Sequence, residues 1–156
     1  MSYQDLDDKT SLIIALIKMA NADEDVHHFE QMNIQLLTNT LGVDYNKVAE
    51  LKENIDEVPI VPPDSKEGKL EFFWRILTMM KMDMHADERE LVLSKELGLA
   101  LKLSLFEVTH LITFMVERLN EFVEWSRFKA YAEELEKHPD NQQQTSFFKK
   151  LRALFS

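Results

Sequence analysis

The chain has 156 residues, 45% of them hydrophobic and 29% charged, which is the composition of one globular domain and not of a disordered segment. It has no cysteine and 3 glycines, which excludes disulfides, thiolate metal sites, cysteine nucleophiles and glycine-rich phosphate loops. Its net charge of −10 argues against nucleic acid as a partner, because polyanion binding depends on clustered Lys and Arg.

The N-terminus, Met1-Ser2-Tyr3-Gln4-Asp5, is acidic where a signal peptide would be basic. No apolar run approaches the ~18 residues of a membrane span. The expectation is a cytoplasmic, soluble protein. Leu12, Leu16, Met19 and Ala20, widened by Ile13 and Ile17, mark a first helix from Leu6 to Ala22. A second is expected from Phe29 to Leu41, stopped by Gly42, and a third after Asp44. Pro59-Ile60-Val61-Pro62-Pro63 cannot continue a helix and reads as a linker.

The pattern then repeats. Helices are expected from Lys66 to Met82, capped by Asp64 or Ser65, and from Glu88 to Lys102. Another follows Ser104, where Ser104 and Glu107 have capping-box spacing. Laid on itself with an offset of 60, the chain aligns Asp23 with Asp83, Glu30 with Glu90, Leu37 with Leu97, Leu41 with Leu101, Val48 with Val108 and Leu51 with Leu111. Two copies of a three-helix unit are too few for a solenoid and point to a closed bundle with pseudo-twofold internal duplication. The copies span about residues 8–58 and 68–118.

An apolar stripe continues from Phe114 to Leu135 as one long helix, or two in tandem broken near Asn120. The expected fold is thus all-α, a single bundle of seven or eight helices over residues 1–138, followed by a C-terminal linker and helix over 139–156. That last element places Lys149, Lys150 and Arg152 beside Phe147, Phe148, Leu151, Leu154 and Phe155. It could lie on a membrane surface. Folding back over the bundle is the favoured reading, since so short a helix is marginal alone.

The joint between first and second helix carries the candidate chemistry. It reads Ala22-Asp23-Glu24-Asp25-Val26-His27-His28-Phe29-Glu30 in one copy and Met82-Asp83-Met84-His85-Ala86-Asp87-Glu88-Arg89-Glu90 in the other. This resembles the signature of the tellurite-resistance TerB-like family, an apolar helix followed by a stretch like A-D-G-x-[IV]-D-x-x-E and an amphipathic helix. Asp83, His85, Asp87 and Glu90 fall on its acidic and polar positions, as do Asp23, Asp25 and Glu30. The motif's glycine is replaced by Glu24 and Met84. The resemblance implies an all-α bundle without catalytic activity, tied to stress response and acting as a binding module, with divalent-metal binding proposed at the acidic positions.

Three readings of the joints follow. Asp23, Asp25, Glu30, Asp83, His85, Asp87 and Glu90 are oxygen and imidazole ligands that suit a divalent metal ion, and no other cofactor is indicated. An EF-hand is excluded, because the sixth and twelfth loop positions are His28 and Ile34, or Glu88 and Ser94, in place of Gly and Glu. Alternatively, Asp87 and Glu90 have the spacing of a capping box, and the acids suit the helix dipole. Thirdly, the acidic joints could meet a basic protein partner, since residues 1–68 carry 14 acids and 5 bases. Met79, Met80, Met82 and Met84 are expected mainly as core filler. His110 is expected as a packed histidine, and Trp74 and Trp125 as anchors with paired N–H groups. Nothing marks a nucleophilic triad or a carboxylate cleft, so no enzyme is expected.

Overall fold

A computed structural model of the chain describes residues 3–22, 28–82, 84–137 and 153–154, with the backbone alone at 28–30. Among the described residues there are seven α-helices: α1 (Asp8–Ala22), α2 (His28–Leu41), α3 (Tyr45–Lys52), α4 (Lys66–Met80), α5 (Glu88–Ala100), α6 (Leu105–Val116) and α7 (Trp125–Lys137). A short 3₁₀ turn, Ile55–Glu57, follows α3. The described residues hold no strand, and no described helix is long and apolar enough to cross a membrane.

Helix α1 is the hub. It packs against α2, α3, α4 and α5 and buries Thr10 to Ile17 without interruption, together with Met19 and Ala20. A stripe was expected, but a helix that is apolar all round belongs inside a bundle, and Leu12-Ile13-Ile14-Ala15-Leu16-Ile17 is apolar all round. Its two buried hydroxyl residues are paired. The Ser11 hydroxyl donates to the Asp8 carbonyl at 2.9 Å and accepts from the Val61 N–H at 2.9 Å, which ties the proline-rich connection to the hub. Asp7 accepts from the Thr10 N–H at 2.7 Å, so the helix begins at Asp8 and not at Leu6.

The sixty-residue period reappears in the elements. First and third helices start 58 and 60 residues apart, at 8 and 66 and at 45 and 105. Ile13 and Phe73, Leu16 and Ile76, Met19 and Met79, Val48 and Val108, and Leu51 and Leu111 are buried in both copies. The second helices end alike. Gly42 and Lys102 both have φ of 70°, and the N–H groups of Val43 and Leu103 return to the carbonyls of Thr38 and Gly98 at 3.0 and 3.3 Å. This is a left-handed C-cap, made once with the residue that suits it and once with a lysine.

That lysine is exposed and bears a Cβ in a region that costs L-residues roughly 1–2 kcal/mol. Lys102→Gly should therefore stabilise the protein. Part of the gain is offset by the freer unfolded chain, which leaves about 0.5–1 kcal/mol and a rise in Tm of a few degrees. A thermal melt checks it.

The remaining caps are local. Asp44 accepts from the Asn46 N–H at 2.9 Å, and Ser65, not Asp64, accepts from the Gly68 N–H at 2.9 Å. Ser104 and Glu107 form the expected capping box. The long C-terminal stripe divides into α6 and α7 around a connection over 117–124. Trp74 donates to the Val123 carbonyl at 2.8 Å, and Phe114 stacks on Tyr131 with ring centroids 4.2 Å apart. Of the C-terminal segment only Ala153 and Leu154 are described, and Leu154 is half-buried against the core. The contacts of Lys149, Lys150 and Arg152 lie outside the described residues.

His110 is buried beside Phe106, with ring centroids 4.4 Å apart. Burial pushes its pKa below the ordinary value of 6.5. The unfolded chain then binds the proton more readily than the folded one, so stability is complete above pH 6.5 and falls as the pH drops below it. His110→Phe should flatten that part of the stability–pH curve, measured by urea unfolding between pH 5 and pH 8.

Candidate functional site

The second joint is built from the end of α4 and the start of α5. Helix α4 stops at Met80, two residues before the expected end, with Lys81 as its C-cap. The chain then turns through Met84, whose φ is 60°. This is the position of the motif's glycine, and a methionine adopts the left-handed conformation there. Its side chain is 65% exposed. Strain of this kind costs roughly 1–3 kcal/mol and persists where the surrounding structure enforces it.

Asp87 is the N-cap of α5. Its carboxylate accepts from the Glu90 N–H at 2.9 Å, and the Glu90 carboxylate accepts from the Asp87 N–H at 3.2 Å. Glu90 is 2% exposed. One turn on, the buried Ser94 hydroxyl donates to the Glu90 carbonyl at 2.7 Å and lies 3.3 Å from the Met80 sulfur. Two of the four candidate ligands of this joint therefore form a reciprocal cap. His85 is exposed. Asp83 lies outside the described residues, as do Asp23 and Asp25, and the side chain of Glu30 is likewise undescribed. Among the described residues, no three His, Asp or Glu side chains come together in a group that could hold a metal ion.

Sequence reasoning missed a trough on the other side of this joint, between α2, α4 and the α6–α7 connection. It has two adjoining lobes. The larger, about 290 Å³, is lined by Thr78, Lys81, Met82, Met84 and Phe122 among others. The smaller, about 180 Å³, is lined by Leu37, Trp74, Arg75 and Thr78 among others. Asn33 and Phe122 border both. The methionines divide accordingly. Met79 and Met80 are core residues, as expected, but Met82 and Met84 are exposed on the trough. Phe122 falls within the apolar stripe expected from Phe114 to Leu135 but is 69% exposed, because the chain there is the connection between α6 and α7.

Lys81 is 7% exposed, and its ammonium donates to the Glu121 carbonyl at 2.7 Å. Lys18 does the same in the first copy, donating to the Val58 carbonyl at 2.9 Å. Each first helix thus sends a lysine to the chain leaving its third helix. Burial pulls both ammonium groups below their ordinary pKa. Their electrostatic settings differ. Lys18 feels two acids, Asp56 and Glu96, whereas Lys81 feels one acid, Glu121, opposed by Arg118 and Arg127.

No protein-family model matches the chain, and no curated protein or solved structure matches it. The TerB-like likeness therefore rests on the joint motif and its duplication alone.

Proposed function

We propose that this chain is a non-enzymatic, TerB-like binding module that docks a protein partner, with the joint acids serving as helix caps and as a source of negative field. The observation that carries this reading is the outer face of α2. Met32 and Leu36, one turn apart, are 54% and 65% exposed, while the neighbouring Asn33 and Leu37 face the trough. Two large apolar side chains on one helix face, on an acidic protein, suit a partner with an apolar strip edged by Lys and Arg. The reciprocal bonding of Asp87 and Glu90 supports capping as the work of those acids. The tie to stress response and a cytoplasmic location belong to the same proposal and rest on the family signature.

The test is recovery of a specific partner by the wild-type chain and by Met32→Glu/Leu36→Glu. Both sites are exposed, so the double variant should keep its Tm within a few degrees. The expected result is a partner retained by wild type, weakened by salt and lost from the variant. Equal retention by the two proteins would refute the assignment of the α2 face.

A further inference from the structure

Each copy uses a lysine to hold the chain leaving its third helix, half-buried at Lys18 and buried at Lys81, and Lys81 lies on the trough beside Thr78. Thr78 borders both lobes. Its hydroxyl oxygen is buried and has no hydrogen-bond partner, although a helical threonine usually donates to the carbonyl one turn back, as Thr38, Thr109 and Thr113 do here. Leaving a buried hydroxyl unpaired is costly. One turn along the same helix face, Lys81 brings an ammonium with three donors and holds the Glu121 carbonyl.

Charge follows the same direction. In a chain of net charge −10, the described residues lining the two lobes include Lys81, Arg75, which is ion-paired with Glu71 at 3.2 Å, and one acid, Glu121. That acid is already engaged, since its carboxylate lies 3.4 Å from Arg127 and 3.7 Å from Arg118. The walls are apolar: Met82, Met84, Leu119, Phe122 and Val123. Methionine and an exposed aromatic make an adaptable lining, and Met84 is held there at a backbone angle that favours glycine. The trough is preformed, because Trp74 of α4 and its C-cap Lys81 each fix a carbonyl of the α6–α7 connection.

We infer that this trough binds a small amphiphile with a carboxylate head, the head received by Lys81 and Thr78 and the aliphatic chain lying along Met82, Met84, Leu119 and Phe122. A few converging donors in an apolar cleft are the usual form of such a site, and an ammonium–carboxylate contact is among the stronger hydrogen bonds available to it. The inference stands apart from the α2 face and does not depend on it.

The test is titration of the full chain with decanoate, followed by calorimetry and by tryptophan fluorescence, since Trp74 lines the smaller lobe. Decanol and decyltrimethylammonium serve as probes of the head group. The expected result is saturable binding of decanoate, at least tenfold tighter than either probe. Thr78→Val should weaken it about fivefold without loss of stability, because the hydroxyl it removes is unpaired. Lys81→Met should weaken it more than tenfold, whereas Lys18→Met should leave it unchanged. If Lys81→Met does not fold, Met84→Glu, exposed on the wall, should abolish binding by repelling the head. No saturation by decanoate, equal binding of decanol, or full affinity in Thr78→Val and Met84→Glu would each overturn the inference. Binding of an acidic amphipathic peptide in place of decanoate would overturn it as well.

Discussion

Gly98→Leu should prevent the bundle from folding, and even Gly98→Ala should cost about 1–3 kcal/mol. Gly98 lies inside α5, where alanine would normally be favoured by up to 1 kcal/mol. A Cβ there would stand 2.7 Å from Val108 Cγ2 and 2.9 Å from Phe73 Cε1. Both neighbours are fully buried, so neither has room to give. The glycine sets how closely α5 approaches α4 and α6. Its counterpart sixty residues earlier, Thr38, is buried with a full side chain, so the first copy leaves more space at the same crossing. Urea unfolding of Gly98→Ala measures the loss. A gain in stability would show that the three helices are not packed this tightly.

Asp87→Ala should cost about 1–2 kcal/mol, through loss of the cap on α5. It leaves the Glu90 N–H without its acceptor in a place where Glu90 is almost wholly buried. Asp87→Asn keeps an acceptor oxygen in the same position and should recover most of that loss, since asparagine caps about as well as aspartate. The contrast separates two roles for one residue. A capping side chain needs an oxygen and tolerates the amide, whereas a metal-ligating carboxylate needs its charge. Thermal melts of the three proteins without added metal rank them as wild type, then Asp87→Asn closely, then Asp87→Ala.

These local devices were legible in the sequence because they are made by neighbouring residues. Asp44, Ser65, Asp87 and Ser104 each cap a helix through an N–H two or three positions on, and Gly42 ends α2 as its type demands. The period of sixty was legible because burial repeats with it. The rest depends on tertiary packing. Nothing in the residues around Lys102 announces a left-handed lysine; it is enforced by the same chain path that Gly42 follows freely. The full burial of α1 reflects its place among four other helices, although its unbroken apolar run was a signal. The trough escaped because its walls come from three distant stretches of chain, represented by Asn33, by Thr78, Lys81, Met82 and Met84, and by Leu119–Val123. Spacing along the chain cannot bring those together. The joint was seen as a group of acids, and the structure resolves part of that group as a cap, in which Asp87 and Glu90 bond one another.

Stress-family resemblance, acidic charge and duplicated joints all make cation binding the natural rival to this account. The most direct test is calorimetric melting of the wild-type chain and of Asp87→Asn, each with a chelator and then with Ca²⁺, Mg²⁺ or Zn²⁺ in turn. With the acids acting as caps, the transition of each protein stays at one temperature whichever ion is present. A rise in wild-type Tm that grows with the concentration of one ion, as mass action requires of a ligand bound to the native state, and that Asp87→Asn lacks, would contradict it.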